Sequence, residues 1–219
     1  MTTLKDIFKE IKSITEQLIS VGLSESQNFP TMKRTGNSTY EVGYANLQDI
    51  SVVLKNVPYE QIYRELDHRK NYNLKLIDGA LVQMTYSFIN ESLTYHRLAF
   101  FPSPYLEDFQ NEPEIYELDE IYADIIAKNI IPFPLRFDFD PARHSEIDHP
   151  QSHLTLGQYK NCRIPVAFPL TPYVFVSFIL RNFYNTAFRK FTDKLSLPQS
   201  VLQETITENE KKVLHMTLA

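Results

Sequence analysis

Glycine, cysteine and tryptophan are scarce in this chain. Its 219 residues include five glycines, one cysteine and no tryptophan. The small number of glycines argues against the Gly-rich loops that bind nucleotide phosphates, and neither a Walker-type loop nor a GxSxG nucleophile elbow occurs. The single Cys162 excludes an intrachain disulfide framework and predicts a protein of the reducing cytoplasm.

Long apolar runs and a basic excess are also missing. No window approaches the roughly 20 apolar residues that a transmembrane helix needs. The first residues have charges every few positions and no apolar signal-peptide core, so we predict a cytoplasmic protein without membrane contact. The formal net charge of −5 at pH 7 argues against broad, sequence-independent nucleic-acid binding but is compatible with a local basic pocket.

Aromatic side chains are abundant and indicate a sizeable core. The chain has 13 tyrosines and 15 phenylalanines, and its apolar fraction of 43% is typical of a soluble globular domain. We predict an α+β fold, in which an antiparallel sheet of about five to six strands packs against a buried C-terminal helix and an N-terminal amphipathic helix. Residues 1–193 are predicted to form this single domain, and residues 194–219 a peripheral C-terminal appendage.

Periodic patterns place these elements along the chain. Apolar residues at three- and four-residue steps predict an amphipathic helix over residues 3–22. Two runs, 81–88 and 93–101, flank Asn90-Glu91 and predict a β-hairpin. Thr171-Pro172 is a natural helix start, and it predicts the buried helix to about Phe191. Further predictions are a loop over 24–37, strands over Ser38–Tyr44 and Ile50–Leu54, and helices over 58–66, 114–128 and 208–216.

Arginine, aspartate and histidine are concentrated between Arg136 and Gly157. Three of the six histidines of the chain lie in this stretch, within a span of ten residues. A first run, 135–140, alternates apolar and polar side chains, and a second run, 152–157, does the same. Alternation with a period of two is typical of half-buried strands. The sequence therefore predicts two strands with polar faces, joined by a loop at 141–150.

Antiparallel pairing of these two runs would place His153 near Asp138 and Arg136 near Thr155. Histidine can donate or accept a proton near neutral pH, a carboxylate can orient its ring, and arginine can bind a phosphate at two points. We therefore select Arg136, Asp138, His149 and His153 as candidate catalytic residues.

Further cations extend the candidate site, and two other interpretations of it stay open. Phosphate or nucleic-acid binding is predicted for Arg97, His144, Arg163 and Arg181. Histidine nitrogens and aspartate oxygens can also hold a divalent metal. Their spacing matches no strong metal-ligand signature, so neither a metal nor a cofactor is predicted. The other interpretation is structural, with a polar hairpin whose buried charges satisfy one another.

Several segments resemble an uncharacterised bacterial family, domain of unknown function 2290, over about residues 40–190. They are HRLAFFPSP (96–104), EIYELDEIYADII (114–126), RFDFD (136–140), DHPQSHLTLGQYKNCRIP (148–165) and LRNFYN (180–185). The resemblance implies a single-domain cytoplasmic protein of mobile or defence-associated gene neighbourhoods, and it implies no established activity.

A more distant resemblance concerns the order of the motifs. An R-x-D strand that precedes an H-P-x-x-H element is similar to the arrangement in small toxin-like RNases of toxin–antitoxin modules. Here Arg136-Phe137-Asp138 and His149-Pro150-Gln151-Ser152-His153 occur in that order.

Two functions are compatible with these observations. The first is a non-catalytic or accessory subunit of a bacterial defence or toxin–antitoxin assembly. It would bind a protein partner encoded nearby, and its polar site would bind RNA, DNA or phosphate. The acidic charge balance favours this function. The alternative is a metal-independent RNase-like toxin or effector, with His153 and His149 as acid and base, Asp138 orienting them, and Arg136 and Arg97 binding phosphate.

Overall fold

The computed structural model describes residues 3–45, 57–106, 111–126, 132–159, 161–197 and 202–217. Within these ranges the fold is α+β, as predicted, with nine strands in one sheet and five α-helices. The helices are α1 (Leu4–Ser20), α2 (Tyr59–His68), α3 (Ala123–Ile126), α4 (Pro172–Phe183) and α5 (Asn185–Phe191). The strands are β1 (Ser24–Gln27), β2 (Thr31–Arg34), β3 (Thr39–Gly43), β4 (Leu74–Leu76), β5 (Leu81–Ile89), β6 (Ser92–Phe101), β7 (Leu135–Phe139), β8 (Ser152–Leu156) and β9 (Ile164–Pro165).

The sheet is antiparallel throughout and follows the order β1-β4-β5-β6-β7-β8-β9. The β2–β3 hairpin joins it because β3 pairs with the C-terminal part of β5, beyond the residues that pair with β4. Nine strands exceed the predicted five to six. The additional strands β1, β2, β4 and β9 have only two to four residues each, too few for an alternating pattern to be recognised.

Local sequence explains where the two principal helices begin. Thr3 caps α1 and forms a capping box with Asp6, in which each side chain bonds the backbone N–H of the other. Thr171 caps α4 by accepting a hydrogen bond from the backbone N–H of Val174, and Pro172 occupies the first turn. Both helices were predicted at these positions, and both starts are confirmed.

The predicted C-terminal helix is interrupted at Tyr184, which corrects the expectation of one continuous helix to Phe191. Tyr184 adopts φ −132 and ψ 46, so α4 ends at Phe183 and α5 begins at Asn185. Its ring is buried, and its hydroxyl donates a hydrogen bond to the Asp78 carboxylate at 2.8 Å. This contact of two residues distant in the chain has no counterpart in the helical pattern.

Helices cover the two faces of the sheet unequally. Helices α1 and α4 pack on one face, where Phe137 contacts Phe175 and Phe178 of α4. On the opposite face, α2 covers one end of the sheet with a small cluster of Ile62, Tyr63, Leu66, Tyr72, Leu81, Ala99 and Phe101. Asp138 follows Phe137 in β7, so its side chain lies on this second face.

The structure confirms two other predicted elements and corrects one. Strand β3 confirms the prediction over Ser38–Tyr44, and α2 confirms the helix that begins after Pro58. The strand predicted at Ile50–Leu54 lies outside the described residues. The loop predicted over 24–37 is wrong in part, because it contains β1 and β2.

Two predicted helices are also corrected. The segment 114–126 forms 3-10 turns and the four-residue α3 in place of one long helix. Ile115 (65% exposed) and Leu118 (99% exposed) bury little surface against the described residues, so their apolar spacing does not stabilise a longer helix. The helix predicted over 208–216 is a single 3-10 turn, Glu210–Lys212.

Residues 202–217 lie against the rest of the domain. The backbone N–H of Met216 donates to the carbonyl of Pro165, and that of Thr205 donates to Ala167. The side chain of Glu210 is buried. The boundary at 193/194 remains a prediction. In the described ranges, no helix is long and apolar enough to cross a lipid bilayer.

Candidate functional site

The polar residues of three neighbouring strands meet on the second face of the sheet. Asp138 in β7 lies directly opposite Arg97 in β6 and His153 in β8. Arg136, two residues before Asp138 on the same face, lies opposite Thr155. The predicted pairing of the two runs is therefore confirmed in its register, and the expected neighbour Arg97 lies beside them.

Asp138 is held between two guanidinium groups. Arg97 Nε donates to Asp138 Oδ1 at 3.0 Å, and Arg136 Nε donates to Asp138 Oδ2 at 3.1 Å. Asp138 is only 5% exposed. Burial by itself raises the pKa of this carboxyl, but the guanidinium groups of Arg136 and Arg97, with His153, outweigh it and hold the pKa below its ordinary value. Asp138 is therefore an ionised carboxylate at neutral pH.

The terminal nitrogens of both arginines are left as donors. In the part of the chain that the structure describes, each guanidinium makes its hydrogen bond through Nε and none through Nη1 or Nη2. The side chains of Arg97 and Arg136 are 13% and 16% exposed, so they are largely covered but not sealed. Two cations share one carboxylate, and this patch therefore has a net positive charge in an acidic chain.

His153 lies behind this patch, and one of its two ring nitrogens is hydrogen-bonded. Nδ1–H donates to the carbonyl of Pro150 at 2.9 Å, and Nε2 lies 3.8 Å from Asp138 Oδ2. Its side chain is 3% exposed. Burial lowers the pKa of His153, although Asp138 and the Pro150 carbonyl oppose this effect. The ring is therefore neutral near pH 7, with little access to a ligand.

His149 extends the cluster toward the 141–150 loop. Its ring lies edge-on to that of His153, with centroids 4.8 Å apart. Nδ1 of His149 is buried and has no hydrogen-bond partner among the described residues. Burial, and secondarily the charge of Arg163, lowers the pKa of His149. His149 therefore has a buried ring nitrogen without a hydrogen bond to the described residues.

The other predicted phosphate-binding residues lie in different places. Arg163 is close enough to lower the pKa of His149, and its Nη1 donates to the carbonyl of Asp148 at 3.4 Å. His144 Nε2 lies 3.3 Å from Glu210 Oε1, and Arg181 is exposed on α4, on the opposite side of the sheet from Asp138. No contact within the described ranges joins His144 or Arg181 to Asp138.

Two tyrosines beside Arg97 were not selected from the sequence. Arg97 lies over the ring of Tyr95 at 6.0 Å, and burial raises the pKa of the Tyr95 phenol. Burial also raises the pKa of Tyr44 to about 12, an effect that Arg97 opposes. The alternation of β6 places Tyr95 on the face of Arg97 and was a usable signal. Tyr44, just after β3, had no local signal.

The arrangement is suited to binding an anion. Arginine binds carboxylate and phosphate groups through paired N–H donors, and the shared Asp138 holds both guanidinium groups in place. For metals the described residues offer less, since no group of three or more His, Cys, Asp or Glu side chains among them is arranged to hold an ion.

Comparisons with known proteins place the chain in a family without adding an activity. Residues 23–218 match the model of a family described as uncharacterized conserved protein, DUF2290. Neither the curated proteins nor the solved structures contain a significant match. The similarity to toxin-like RNases therefore depends on motif order alone. Because the family model covers nearly the whole chain, this protein belongs to the DUF2290 family.

Proposed function

We propose that this chain is a non-catalytic accessory subunit that binds a phosphate-bearing ligand through Arg97 and Arg136. The observation that supports it is that two guanidinium groups share Asp138 through their Nε atoms. Their Nη1 and Nη2 atoms have no hydrogen-bond partner among the described residues. These atoms are the donors that would bind the ligand.

Phosphate suits this site in charge and in shape. A guanidinium presents N–H groups in a plane, and it can bind two oxygens of one phosphate at once. Arg97 and Arg136 lie on adjacent strands and are fixed by Asp138, so little side-chain entropy is lost on binding. One carboxylate between two arginines leaves a net positive charge to attract the anion.

The state of His153 supports binding without catalysis. A general acid or base must reach the proton that it transfers. In His153, Nδ1–H is bonded to the carbonyl of Pro150, Nε2 is 3.8 Å from Asp138 and thus beyond hydrogen-bond distance, and the side chain is buried, so the ring is poorly placed to reach a ligand. We therefore propose that His153 packs behind the anion-binding arginines and does not touch the ligand.

The proposed setting is a bacterial defence or toxin–antitoxin assembly in the cytoplasm. The family resemblance implies such gene neighbourhoods, and the net charge of −5 favours docking to a protein partner encoded nearby over wrapping by nucleic acid. RNA or DNA would then contact the chain only at the local positive patch of Arg97 and Arg136, through one or two phosphates.

A binding experiment with matched arginine variants tests the phosphate site. Labelled single-stranded RNA and DNA 12-mers would be titrated with the full chain, and fluorescence anisotropy would report binding. Arg136→Lys retains the charge beside Asp138 but loses the planar pair of donors. We expect it to weaken binding by about tenfold. Arg181→Lys is the matched control, because Arg181 is exposed on the opposite side of the sheet.

The outcomes of this experiment separate the alternatives. If the Arg136→Lys and wild-type chains bind equally, or if neither binds, the phosphate site is refuted. If the Arg181→Lys chain is weakened as strongly, binding occurs elsewhere on the surface. Because Arg136→Lys retains the positive charge, its lower affinity should come with an unchanged slope of log K against log salt.

The alternative function, metal-independent phosphodiester cleavage, is favoured by one observation. Nδ1 of His149 is unpartnered among the described residues, and the ring is in contact with that of His153. RNA incubated with the chain in EDTA should then be cleaved, and His149→Ala should slow cleavage by about a hundredfold or more. Intact RNA after incubation with the wild-type chain would exclude this alternative.

A further inference from the structure

A pocket lies on the face of the sheet that α1 and α4 cover, where α4 meets α5. Its walls include Phe100 and Leu135 from the sheet, and the rings of Phe133 and Phe183 stand at its exposed rim. The cavity measures about 70 Å³. Phe100 and Leu135 alternate with the residues of the Arg97–Asp138 patch, so this pocket and the anion site are on opposite faces.

A buried carboxylate lines this otherwise apolar pocket. Asp78 lies in the turn between β4 and β5, where Oδ1 accepts the backbone N–H of Ala80 at 3.1 Å. The hydroxyl of Tyr184 lies 2.8 Å from both carboxylate oxygens. No lysine, arginine or histidine in the described ranges forms an ion pair with Asp78. Burial raises the pKa of Asp78, although the bonds to Tyr184 and Ala80 oppose the rise.

Because no cation among the described residues pairs with Asp78, the pocket should prefer a positively charged ligand. An ionised carboxylate without a counter-charge is costly in an apolar environment, and a bound cation removes that cost. Two neutral hydrogen-bond donors only partly compensate it. Tyr184 donates its one hydroxyl proton to Asp78, so its oxygen can still accept a hydrogen bond from a ligand.

The aromatic walls favour a cation with an apolar body. The rings of Phe100 and Phe183 have centroids 5.0 Å apart, and Phe100 and Tyr184 are nearly perpendicular at 6.3 Å. Aromatic faces attract ammonium groups, while their area and that of Leu135 cover alkyl chains. An apolar cavity of roughly 150 Å³ holds benzene. This pocket has less than half that volume, so it is suited to a short alkyl chain of about two or three carbons.

We infer that this pocket binds a small primary alkylammonium ion of about two or three carbons, with its N–H groups on Asp78 and Tyr184 and its chain on Phe100 and Leu135. A primary ammonium is preferred over a quaternary one, because it can donate hydrogen bonds to the Asp78 carboxylate and to the Tyr184 hydroxyl oxygen. This inference is independent of the phosphate site.

Paired ligands of equal shape test the inference. Propylammonium chloride and 1-propanol share one carbon skeleton, but only the first is charged. Both would be titrated into the full isotope-labelled chain and followed by two-dimensional NMR. We expect saturable shifts at Phe100 and Phe183 with the amine, and binding of the alcohol weaker by about tenfold or more. Equal affinities would show an apolar cavity only and would overturn the inference.

Variants identify the group that selects the charge. Asp78→Asn should lower the affinity for the amine to that of the alcohol, whereas the exposed control Asp193→Asn should change neither. If Asp78→Asn does not fold, Phe183→Ala at the exposed rim replaces it, and this variant should bind the amine severalfold more weakly. Unchanged amine affinity in the folded Asp78→Asn chain, or in Phe183→Ala, would refute the site.

Discussion

Asp138 is the residue on which the ion-pair cluster depends. Its carboxylate forms ion pairs with Arg97 at 3.0 Å and with Arg136 at 3.1 Å, and both guanidinium groups are largely removed from water. Breaking a buried ion pair by removing one partner leaves an uncompensated charge, which costs about 3–5 kcal/mol. The two arginines would both lose their partner if Asp138 were neutralised.

We therefore expect Asp138→Asn to lower the free energy of unfolding by about 3–5 kcal/mol, as measured by urea denaturation. Asp140→Asn is the control, because its partner Arg143 is exposed and such surface pairs contribute at most about 1 kcal/mol. A loss for Asp138→Asn no larger than that for Asp140→Asn would contradict the role of the cluster in stability.

His96 shows how one histidine can control stability against pH. His96 is buried, and its Nε2 accepts the backbone N–H of Leu170 at 3.1 Å. Burial lowers the pKa of His96 to about 4 from an ordinary value of 6.5. Between these two values the unfolded chain binds the proton and the folded chain does not.

Stability should therefore fall as pH is lowered from about 6.5 to 4. His96 alone accounts for a loss of about 3 kcal/mol, from a difference of about 2.5 pKa units. Burial also lowers the pKa values of His149 and His153, so their contributions have the same sign. Asp138 acts in another window, because its contribution is lost only as pH falls through its lowered pKa.

His96→Gln should remove most of this slope, since glutamine does not titrate. Urea denaturation at pH 7, 6, 5 and 4 would measure it for the wild-type and variant chains. The hypothesis fails if the two chains lose equal stability between pH 6.5 and pH 4. His215→Gln, near the surface, is the matched control.

At the scale of elements, the β5–β6 hairpin has a strained turn. The two loop residues, Asn90 and Glu91, have φ values of 48 and 64 degrees. Two-residue loops with positive φ at both positions favour Asn-Gly, because glycine has no Cβ to clash in the left-handed region. Asn90 fits this preference, and Glu91 does not.

Replacement of Glu91 by glycine should therefore stabilise the protein by about 0.5–1 kcal/mol. Thermal unfolding would detect an increase in Tm of a few degrees. Ser92→Gly, one residue later in strand β6, provides the comparison and should destabilise the chain, because glycine weakens a strand interior. A decrease in Tm for Glu91→Gly would contradict the strain.

At the scale of the whole molecule, the segment 202–217 extends the domain along its β9 edge. Met216 forms a parallel bridge with Val166, and the buried Glu210 lies 3.3 Å from His144. Glu146 accepts hydrogen bonds from Thr207 and from Asn209 in this segment. These contacts predict that the segment contributes to stability.

A chain that ends at Leu197 tests this contribution. We expect it to lose about 2 kcal/mol or more, because buried hydrogen-bond partners are left unpaired, and its Tm to fall by about 4–8 °C. Circular dichroism during heating would measure the change. An unchanged Tm would instead support the peripheral appendage that the composition predicted.

The outcome for each element reflects whether its pattern was local. The 135–140 and 152–157 runs were readable because side chains in a strand alternate with a period of two, which also set which residues face one another. Strand β2 has no such alternation, since all four of its residues are exposed. The apolar spacing after Glu114 was helical, but Leu118 is 99% exposed among the described residues.

Spacing along the chain was therefore enough to place Arg136, Asp138 and His153 together and to identify the α+β class. It could not show that His153 is sealed from ligands while the arginine Nη groups are left as donors, because burial depends on which elements stack. The Asp78–Tyr184 contact joins residues 106 positions apart. Such contacts form when distant segments pack together, and no local periodicity encodes that packing.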